Sequence, residues 1–234
     1  MILHNRLLAA LPTAEYQRLA PNLTEVSLVL GQVICEPKEP LQWVYFPQKA
    51  AVSFVSILEN GSTTEVGLVG HEGVVGYPVV LGGQSMINCA IVQIPGLALR
   101  IEAKILMHQL QQSGKLQQLL LLHTQALLNQ VSQTAACNRH HPIDKRLARW
   151  LLTAQDCVLS NEFRITQEFI ANMLGTRRAG VTEAVGRLQQ AGMIQTQRRK
   201  ITILQPSALE AFACECYGVV RSERNRLLTI GQEQ

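Results

Sequence analysis

The sequence has few aromatic residues, few charges and few cysteines. Aromatic residues make up 5% and charged residues 16% of the 234 residues, and the six cysteines show no CxxC spacing. Cysteines this sparse exclude a disulfide scaffold. No apolar run reaches the roughly 18 residues of a membrane span, and residues 1–12 contain too short an apolar segment for a signal peptide. We therefore expect a soluble, cytoplasmic protein with no membrane partner.

Motifs of catalysis are also missing. The sequence contains no GxSxG, HExxH, P-loop or dinucleotide-binding pattern. His71-Glu72 has no nucleophile or third partner at a recognisable spacing, so we interpret it as a turn. A hydrolase or transferase hidden in the first half of the chain would need a convergent polar pocket, which no residue pattern suggests. The prediction is that the chain is not an enzyme.

Charge is divided unevenly along the chain. Residues 1–110 carry six Lys/Arg against eight Asp/Glu, whereas residues 111–234 carry fifteen against nine, so a net charge of +4 conceals a balance of −2 and +6. Between residues 139 and 200, eleven Lys/Arg face five acids. An acidic first half and a basic second half predict two domains. Charge alone favours a solvated basic face for the second domain, and contact with a polyanion is the alternative that needs a motif beside it.

The first half has the pattern of short strands and turns. Two short helices (5–11 and 13–19) precede β-prone runs at 25–30, 32–35, 43–46, 51–58, 63–69 and 90–94. Glycine and proline separate these runs, and Asn60-Gly61 is a strong hairpin signal because both residues tolerate a positive φ. Many short strands at near-regular spacing favour a sandwich or barrel.

A long helix follows the strands. Residues 115–136 lack glycine and proline and are rich in leucine, glutamine and alanine. Six residues fall at alternating steps of four and three, the spacing of a coiled-coil seam: Leu116, Leu120, His123, Leu127, Gln130 and Thr134. We expect either a dimerisation helix or an ordinary buried helix, and a homodimer is the working hypothesis.

The last third has the order of a winged helix-turn-helix. Pro142 can begin one helix, Thr166 can cap a second that Gly175 ends, and Thr176 can cap a third that runs to Gln190. Two short strands then flank a basic hairpin tip at residues 197–200. This order is typical of DNA-binding domains.

The third of these helices separates into two faces. At 100° per residue, Val181, Ala184, Val185 and Leu188 share one arc and should face the core. A helix that reads the major groove of DNA contacts the bases with its first turns. Arginine can bind guanine, glutamate can accept a hydrogen bond from cytosine, and alanine or threonine can contact the methyl group of thymine. The helix N-terminus and the basic tip would hold phosphates. The predicted DNA contacts are Thr166, Thr176, Arg177, Arg178, Ala179, Thr182, Glu183, Arg187, Arg198, Arg199 and Lys200.

Several segments resemble the Crp/Fnr family of bacterial transcription regulators. They are RLARWLL (146–152), ITQEFIANMLG (165–175) and VTEAVGRL (181–188), with LGQVI (30–34) and GHEGVVG (70–76) near the start. The resemblance implies an α+β protein with a cyclic-nucleotide-binding-like β-barrel of jelly-roll type at 1–112 and a dimerisation helix at 113–138. A winged helix-turn-helix would occupy 139–205, followed by a C-terminal helix at 206–234. It also implies RNA polymerase as a partner and a palindromic site on double-stranded DNA.

Two departures from the family bear on the signal that is sensed. Aligned on Gly76, the sequence places Tyr77 where cyclic-AMP-binding members have glutamate, and Ile87-Asn88 where they have Arg-Ser. No cation remains there to balance a buried phosphate. The first cysteine is Cys35, so the N-terminal cysteine cluster of iron–sulfur members is absent. We expect no cofactor and control by an unidentified effector or signal, and Tyr77, Met86 and Asn88 are the candidate contacts if a small molecule binds.

Cysteines and histidines near the end of the long helix need a separate interpretation. Cys137, His140 and His141 could bind zinc or iron, but one ligand is missing and Pro142 follows, so a hinge or phosphate contact is favoured. Cys214 and Cys216 fall in an apparent helix at 207–230, where residues two apart face away from each other. We therefore predict no metal site, while a redox role for these thiols stays open.

The function predicted is a sequence-specific, homodimeric, DNA-binding transcription regulator controlled at its barrel. The alternative is a ligand-binding regulator whose winged helix docks another protein and not DNA.

Overall fold

The computed structural model describes residues 4–112 and 114–233. The first three residues of the chain, and the predicted boundary residues 113 and 234, lie outside the described part. Within that part, no helix is long and apolar enough to cross a membrane.

The described elements follow the predicted order. The helices are α1 (Arg6–Ala9), α2 (Thr13–Leu19), α3 (Ala103–Gln112), α4 (Gly114–His140), α5 (Ile143–Val158), α6 (Gln167–Leu174), α7 (Arg178–Gln190), α8 (Pro206–Phe212) and α9 (Cys216–Glu233), with 3₁₀ turns at Ala20–Asn22 and Tyr77–Leu81. The strands are β1 (Thr24–Leu28), β2 (Val33–Cys35), β3 (Trp43–Pro47), β4 (Ala51–Ile57), β5 (Thr63–Val69), β6 (Cys89–Ile94), β7 (Gly96–Glu102), β8 (Glu162–Arg164), β9 (Ile194–Gln197) and β10 (Lys200–Ile203).

Strands β1 to β7 form two antiparallel sheets, ordered β1-β7-β3 and β2-β6-β4-β5. The predicted first domain, two short helices followed by antiparallel strands, is confirmed, and Gly61 turns the β4–β5 hairpin with φ of 80°. Strand β7 and helix α3 were not predicted. Strand β7 is central in its sheet, yet its partners β1 and β3 lie more than 40 residues earlier in the chain. Its identity as a strand therefore depends on distant pairing.

Helix α4 packs along the barrel, which is the domain formed by β1 to β7. The side chain of Gln130 exchanges hydrogen bonds with the backbone N–H and carbonyl of Leu68, each at 3.2 Å, and the His123 ring lies 3.2 Å from the Val74 nitrogen. All six residues of the predicted coiled-coil seam are buried inside this one chain. The assignment of these residues to a dimer seam is wrong, because the barrel already covers that face.

The predicted single helix at 207–230 is also wrong. Residues 213–215 separate α8 from α9, and α9 runs antiparallel along α4. Asn129 of α4 donates to Glu223 of α9 at 3.3 Å, while a Cβ on Gly231, near the end of α9, would lie 2.6 Å from Leu119 near the start of α4. Helix α4 is thus covered on a second side.

Helix α5 joins the C-terminal domain to the barrel. Its Trp150 donates from Nε1 to Oε1 of Glu65 on β5 at 2.9 Å, and the Cys157 carbonyl accepts from the His71 N–H at 3.0 Å. Ala51 and Leu68 of the barrel belong to the same hydrophobic cluster as the core of the C-terminal domain. The two domains are therefore packed directly against each other.

The carboxyl group of Glu65 is buried at this joint. Burial raises the pKa of Glu65 to about 7, although hydrogen bonds from Ser53 and Trp150 and the charge of Arg149 oppose the shift. Between the ordinary value of 4.5 and about 7, the folded chain keeps a proton that the unfolded chain has lost. The free energy of unfolding therefore falls as the pH rises through this range.

We predict that Glu65→Gln removes this pH dependence and stabilises the chain at pH 8 by about 1–3 kcal/mol. The amide can still accept from Trp150, and it carries no charge at any pH. Urea unfolding at pH 5 and pH 8 measures the effect, with Glu25→Gln on the exposed edge of β1 as the control. If the free energy of unfolding depended on pH equally in the wild type and in Glu65→Gln, the raised pKa would not belong to Glu65.

Candidate nucleic-acid interface

Helices α6 and α7 form the helix-turn-helix. Thr166 begins α6 as predicted, since its Oγ1 accepts from the Phe169 N–H at 3.1 Å, and Gly175 ends it with φ of 57°. The predicted cap at Thr176 is wrong. The Thr176 N–H donates to the Ala171 carbonyl, so Thr176 completes the end of α6. Arg177 takes the capping position of α7 and makes no side-chain cap.

The predicted division of α7 into two faces is confirmed. Val181, Ala184, Val185 and Leu188 are all at most 1% exposed and pack against the domain core. The opposite face is open to solvent and carries Ala179, Thr182, Glu183, Arg187 and Gln190. Gly180 allows α7 to approach α5 closely, because a Cβ at this position would lie 2.7 Å from the side chain of Ile143. The helix is supported from behind and presents its other face outward.

The arginines of α7 differ in their surroundings. Arg178 is 68% exposed and reaches Glu168 of α6 at 3.8 Å, a long and solvated pair that costs little to break. Arg187 lies 3.1 Å from Asp144 of α5, so it also ties α7 to α5. Arg177 is exposed at the start of the helix. Arg178 is thus the side chain best placed to leave its partner and reach a ligand.

Strands β9 and β10 form the predicted wing, and β8 extends the sheet on the other side of β10. Arg198 and Arg199 occupy the tip with positive φ values of 45° and 67°, the geometry of a tight two-residue hairpin. Both side chains are exposed, and Lys200 is paired with Glu162 of β8 at 2.7 Å. The tight turn therefore holds two adjacent guanidinium groups out from the domain.

Two grooves lie beside the wing. One, of about 560 Å³, separates the wing from the first turns of α6 and α7 and is lined by Thr166, Gln167, Glu168, Arg178 and residues 196–201. The other, of about 570 Å³, is lined by Arg164, Phe169, the wing and Leu30 of the barrel. The structure brings Thr166, Arg178 and the wing residues of the predicted site together. Arg164 and Leu30 were missed, and only their tertiary position brings them to the site.

The three candidate effector residues do not share one environment. Tyr77 and Met86 pack in a hydrophobic cluster with Phe54, and the rings of Tyr77 and Phe54 meet edge to face at 5.8 Å. Asn88 donates to Ser56 at 2.9 Å. Tyr77 and Met86 thus pack inside the barrel and Asn88 is bound to Ser56, so the role of these three side chains in effector binding stays a prediction.

Comparison with known proteins places this geometry in a class. The Crp-like helix-turn-helix domain family matches residues 145–212. A global nitrogen regulator of Synechococcus elongatus is 23% identical over 76% of this chain and 85% of its own length, and one of Nostoc is 25% identical over 76% and 84%.

Solved structures resemble the chain over most of its length. FixK2 of Bradyrhizobium japonicum matches with a TM-score of 0.69 and 18% identity, over 82% of this chain and 98% of that one. A transcriptional regulator of the Crp/Fnr family from Eubacterium rectale matches with a TM-score of 0.67 and 20% identity, over 88% and 96%. The fold is therefore a β-barrel joined through a long helix to a winged helix-turn-helix, as in these solved structures. The chain thus resembles Crp/Fnr regulators in its fold, and its residues 145–212 match the helix-turn-helix domain of Crp-like proteins.

The two threonines of the helix-turn-helix give a direct test of the capping assignment. Thr166→Ala should lower the free energy of unfolding by about 1 kcal/mol, because the Phe169 N–H loses its acceptor. Thr176→Ala is the matched control and should cost less than about 0.5 kcal/mol. Urea unfolding of both variants measures the difference, and an equal loss for the two would show that Thr166 is not the cap.

Proposed function

We propose that the chain is a homodimeric transcription regulator that reads a palindromic site on double-stranded DNA. Helix α7 of each subunit would enter a major groove, with half-site centres about 34 Å apart. The observation that carries the proposal is the geometry around α7. Its first turns are exposed, its back is fixed to the core, and a basic wing stands beside it.

Base reading is assigned to the first turns of α7. Arg178 can turn away from Glu168 to take a guanine through two hydrogen bonds, Glu183 can accept from cytosine, and Ala179 or Thr182 can contact a thymine methyl. The Thr182 hydroxyl also donates to Gln167 of α6 at 2.8 Å, which restrains its position on the helix surface. These residues supply sequence preference.

Phosphate binding is assigned to the charges around this helix. Within residues 4–112 and 114–233, Arg177, Arg198 and Arg199 make no ion pair. Their guanidinium groups are therefore free to neutralise phosphates on either side of the groove, and the N-terminus of α7 adds a partial positive charge. Thr166 and Thr176, half-buried at the turn, can add hydroxyl donors.

Dimerisation is assigned to the one side of α4 that neither the barrel nor α9 covers. Leu121 and Leu128 lie seven residues apart on this side and are 42% and 61% exposed. Gln125 and Ser132, also exposed, lie between and beyond them at the spacing of a narrow coiled-coil seam. A second copy would cover these leucines and set the distance between the two α7 helices.

Control is assigned to the packing between the barrel and α5. A signal that changes the barrel near Glu65 would alter the contact between Glu65 and Trp150. Because Trp150 lies on α5, this change would also shift the position of α7. A small-molecule effector, RNA polymerase as a partner, and action in the cytoplasm complete the proposal. The rival function is a winged helix that docks another protein. Only DNA binding predicts an affinity for duplex that falls steeply as the salt concentration rises.

Selection of bound duplexes from a random pool, with and without cell extract, tests DNA binding, palindromy and effector dependence together. On the duplex recovered, we predict that Arg178→Ala weakens binding by about 1–3 kcal/mol and relaxes specificity at one base position. Fluorescence anisotropy at several salt concentrations measures both the affinity and the number of phosphates neutralised.

Arg221→Ala, which removes an exposed arginine from α9, is the charge control and should leave specificity unchanged. If Arg178→Ala binds as tightly and selectively as the wild type, the reading helix is misassigned. A failure to recover any duplex, or binding that does not weaken steeply with salt, would favour the protein-docking alternative.

The dimer has a separate test. Leu128→Lys places a charge in the proposed interface and should convert the protein to a monomer at micromolar concentration, because two lysines would face each other without water. Sedimentation velocity measures the change, with Leu159→Lys at the exposed end of α5 as the control. A wild-type protein that sediments as a monomer would contradict the proposed dimer. DNA binding by a single subunit would still be measurable in the anisotropy assay.

A further inference from the structure

Four side chains capable of binding a metal meet where α4 ends and α9 begins. Cys137 and His141 lie one turn apart, since the His141 N–H donates to the Cys137 carbonyl and so continues the helix. Cys214 lies in the break after α8, and Cys216 is the first residue of α9. The one ligand atom that each of them offers lies within 4.8 Å of all the others.

The distances are those of a tetrahedral coordination shell. The Sγ atoms of Cys137 and Cys214 are 3.5 Å apart, and Sγ of Cys216 lies 3.5 Å from Nδ1 of His141. Zinc–sulfur bonds of about 2.3 Å place tetrahedral ligand atoms about 3.8 Å from each other. A disulfide would need about 2.05 Å, and all six cysteines are free.

Surrounding groups orient the ligands. The other ring nitrogen of His141, Nε2, lies 3.3 Å from Oε1 of Glu215, so the carboxylate can hold the proton there and leave Nδ1 free to coordinate. Gln133 donates from Nε2 to Sγ of Cys216 at 3.1 Å. The three cysteines are at most 6% exposed and form a cluster of their own.

Charge at the cluster suits thiolate ligands. Arg149 is buried on the adjoining helix α5 and interacts electrostatically with Cys137. The buried guanidinium of Arg146 also interacts electrostatically with Cys137 and Cys214. Three thiolates around one zinc ion leave a net charge of −1, and these two arginines can balance it.

We propose that Cys137, His141, Cys214 and Cys216 bind one zinc ion in a closed structural site. The protein supplies all four ligands, so no position is left for water or substrate, as is typical of structural zinc. The ion would fasten the end of α4 to the break between α8 and α9, beside the start of the DNA-binding domain. The inference depends on this cluster alone and holds whether or not the chain binds DNA.

Metal titration of the full-length, reduced protein tests the site. We expect one zinc ion per chain by elemental analysis, and bound cobalt(II) should show the visible absorption of a tetrahedral thiolate site. Cys216→Ser and His141→Ala should lose this binding. His141→Cys should keep it, because four cysteines also bind zinc tetrahedrally.

Two further variants separate a specific site from general thiol chemistry. Glu215→Gln should weaken zinc binding by roughly 10–100-fold without abolishing it. Cys35→Ser, which removes a half-buried thiol of the barrel, should bind zinc as the wild type does. Circular dichroism of each variant establishes that it is folded.

Three results would overturn the proposal. The first is a wild-type protein, fully reduced, that takes up no stoichiometric zinc or cobalt. The second is a disulfide joining Cys137 to Cys214 in the protein as isolated, found by mass spectrometry. The third is an iron–sulfur cluster at the same ligands, seen as bound iron and sulfide.

Discussion

The arrangement of the whole chain depends on the packing of α5 against the barrel. Trp150 is almost fully buried and donates to a carboxyl group that is itself buried, so neither partner can be removed without leaving a polar group unpaired. The backbone of Cys157 adds a contact so close that Gly70 has no room for a Cβ. Because both the long helix and the helix-turn-helix adjoin α5, this contact determines where α7 and the wing lie.

Helix α4 also fixes the position of the barrel, because it packs between the barrel and α9. Its polar seam residues are buried against backbone groups of β5 and the Gly73–Val75 turn, and its remaining sides are shared between α9 and solvent. Buried glutamine and histidine are tolerated there because each finds a backbone partner. The proposed zinc site lies at the end of this helix. Barrel, long helix and C-terminal helix would then hold the DNA-binding domain in one position.

The sequence was sufficient wherever the determining interactions were local. The cap at Thr166, the left-handed glycine after α6, the hairpin at Gly61 and the buried face of α7 were all predicted from neighbouring residues. It was insufficient for β7, whose partners are distant, and for the seam of α4. The spacing of apolar residues along a helix shows that one face is buried. It does not show whether the surface that covers this face is the chain's own barrel or a second copy of the chain.

The sequence by itself therefore determined the class of fold: a sheet-rich domain, a long helix and a basic winged helix whose α7 has one buried and one exposed face. Only the tertiary structure decided what each apolar face packs against and which reactive side chains meet. Cys214 and Cys216 were expected to point apart on one helix, but the helix is broken between α8 and α9, and both face Cys137 across 77 or more residues. Spacing along a chain predicts a ligand set only when the ligands are local, and here two distant segments, at the end of α4 and around the start of α9, supply two ligands each.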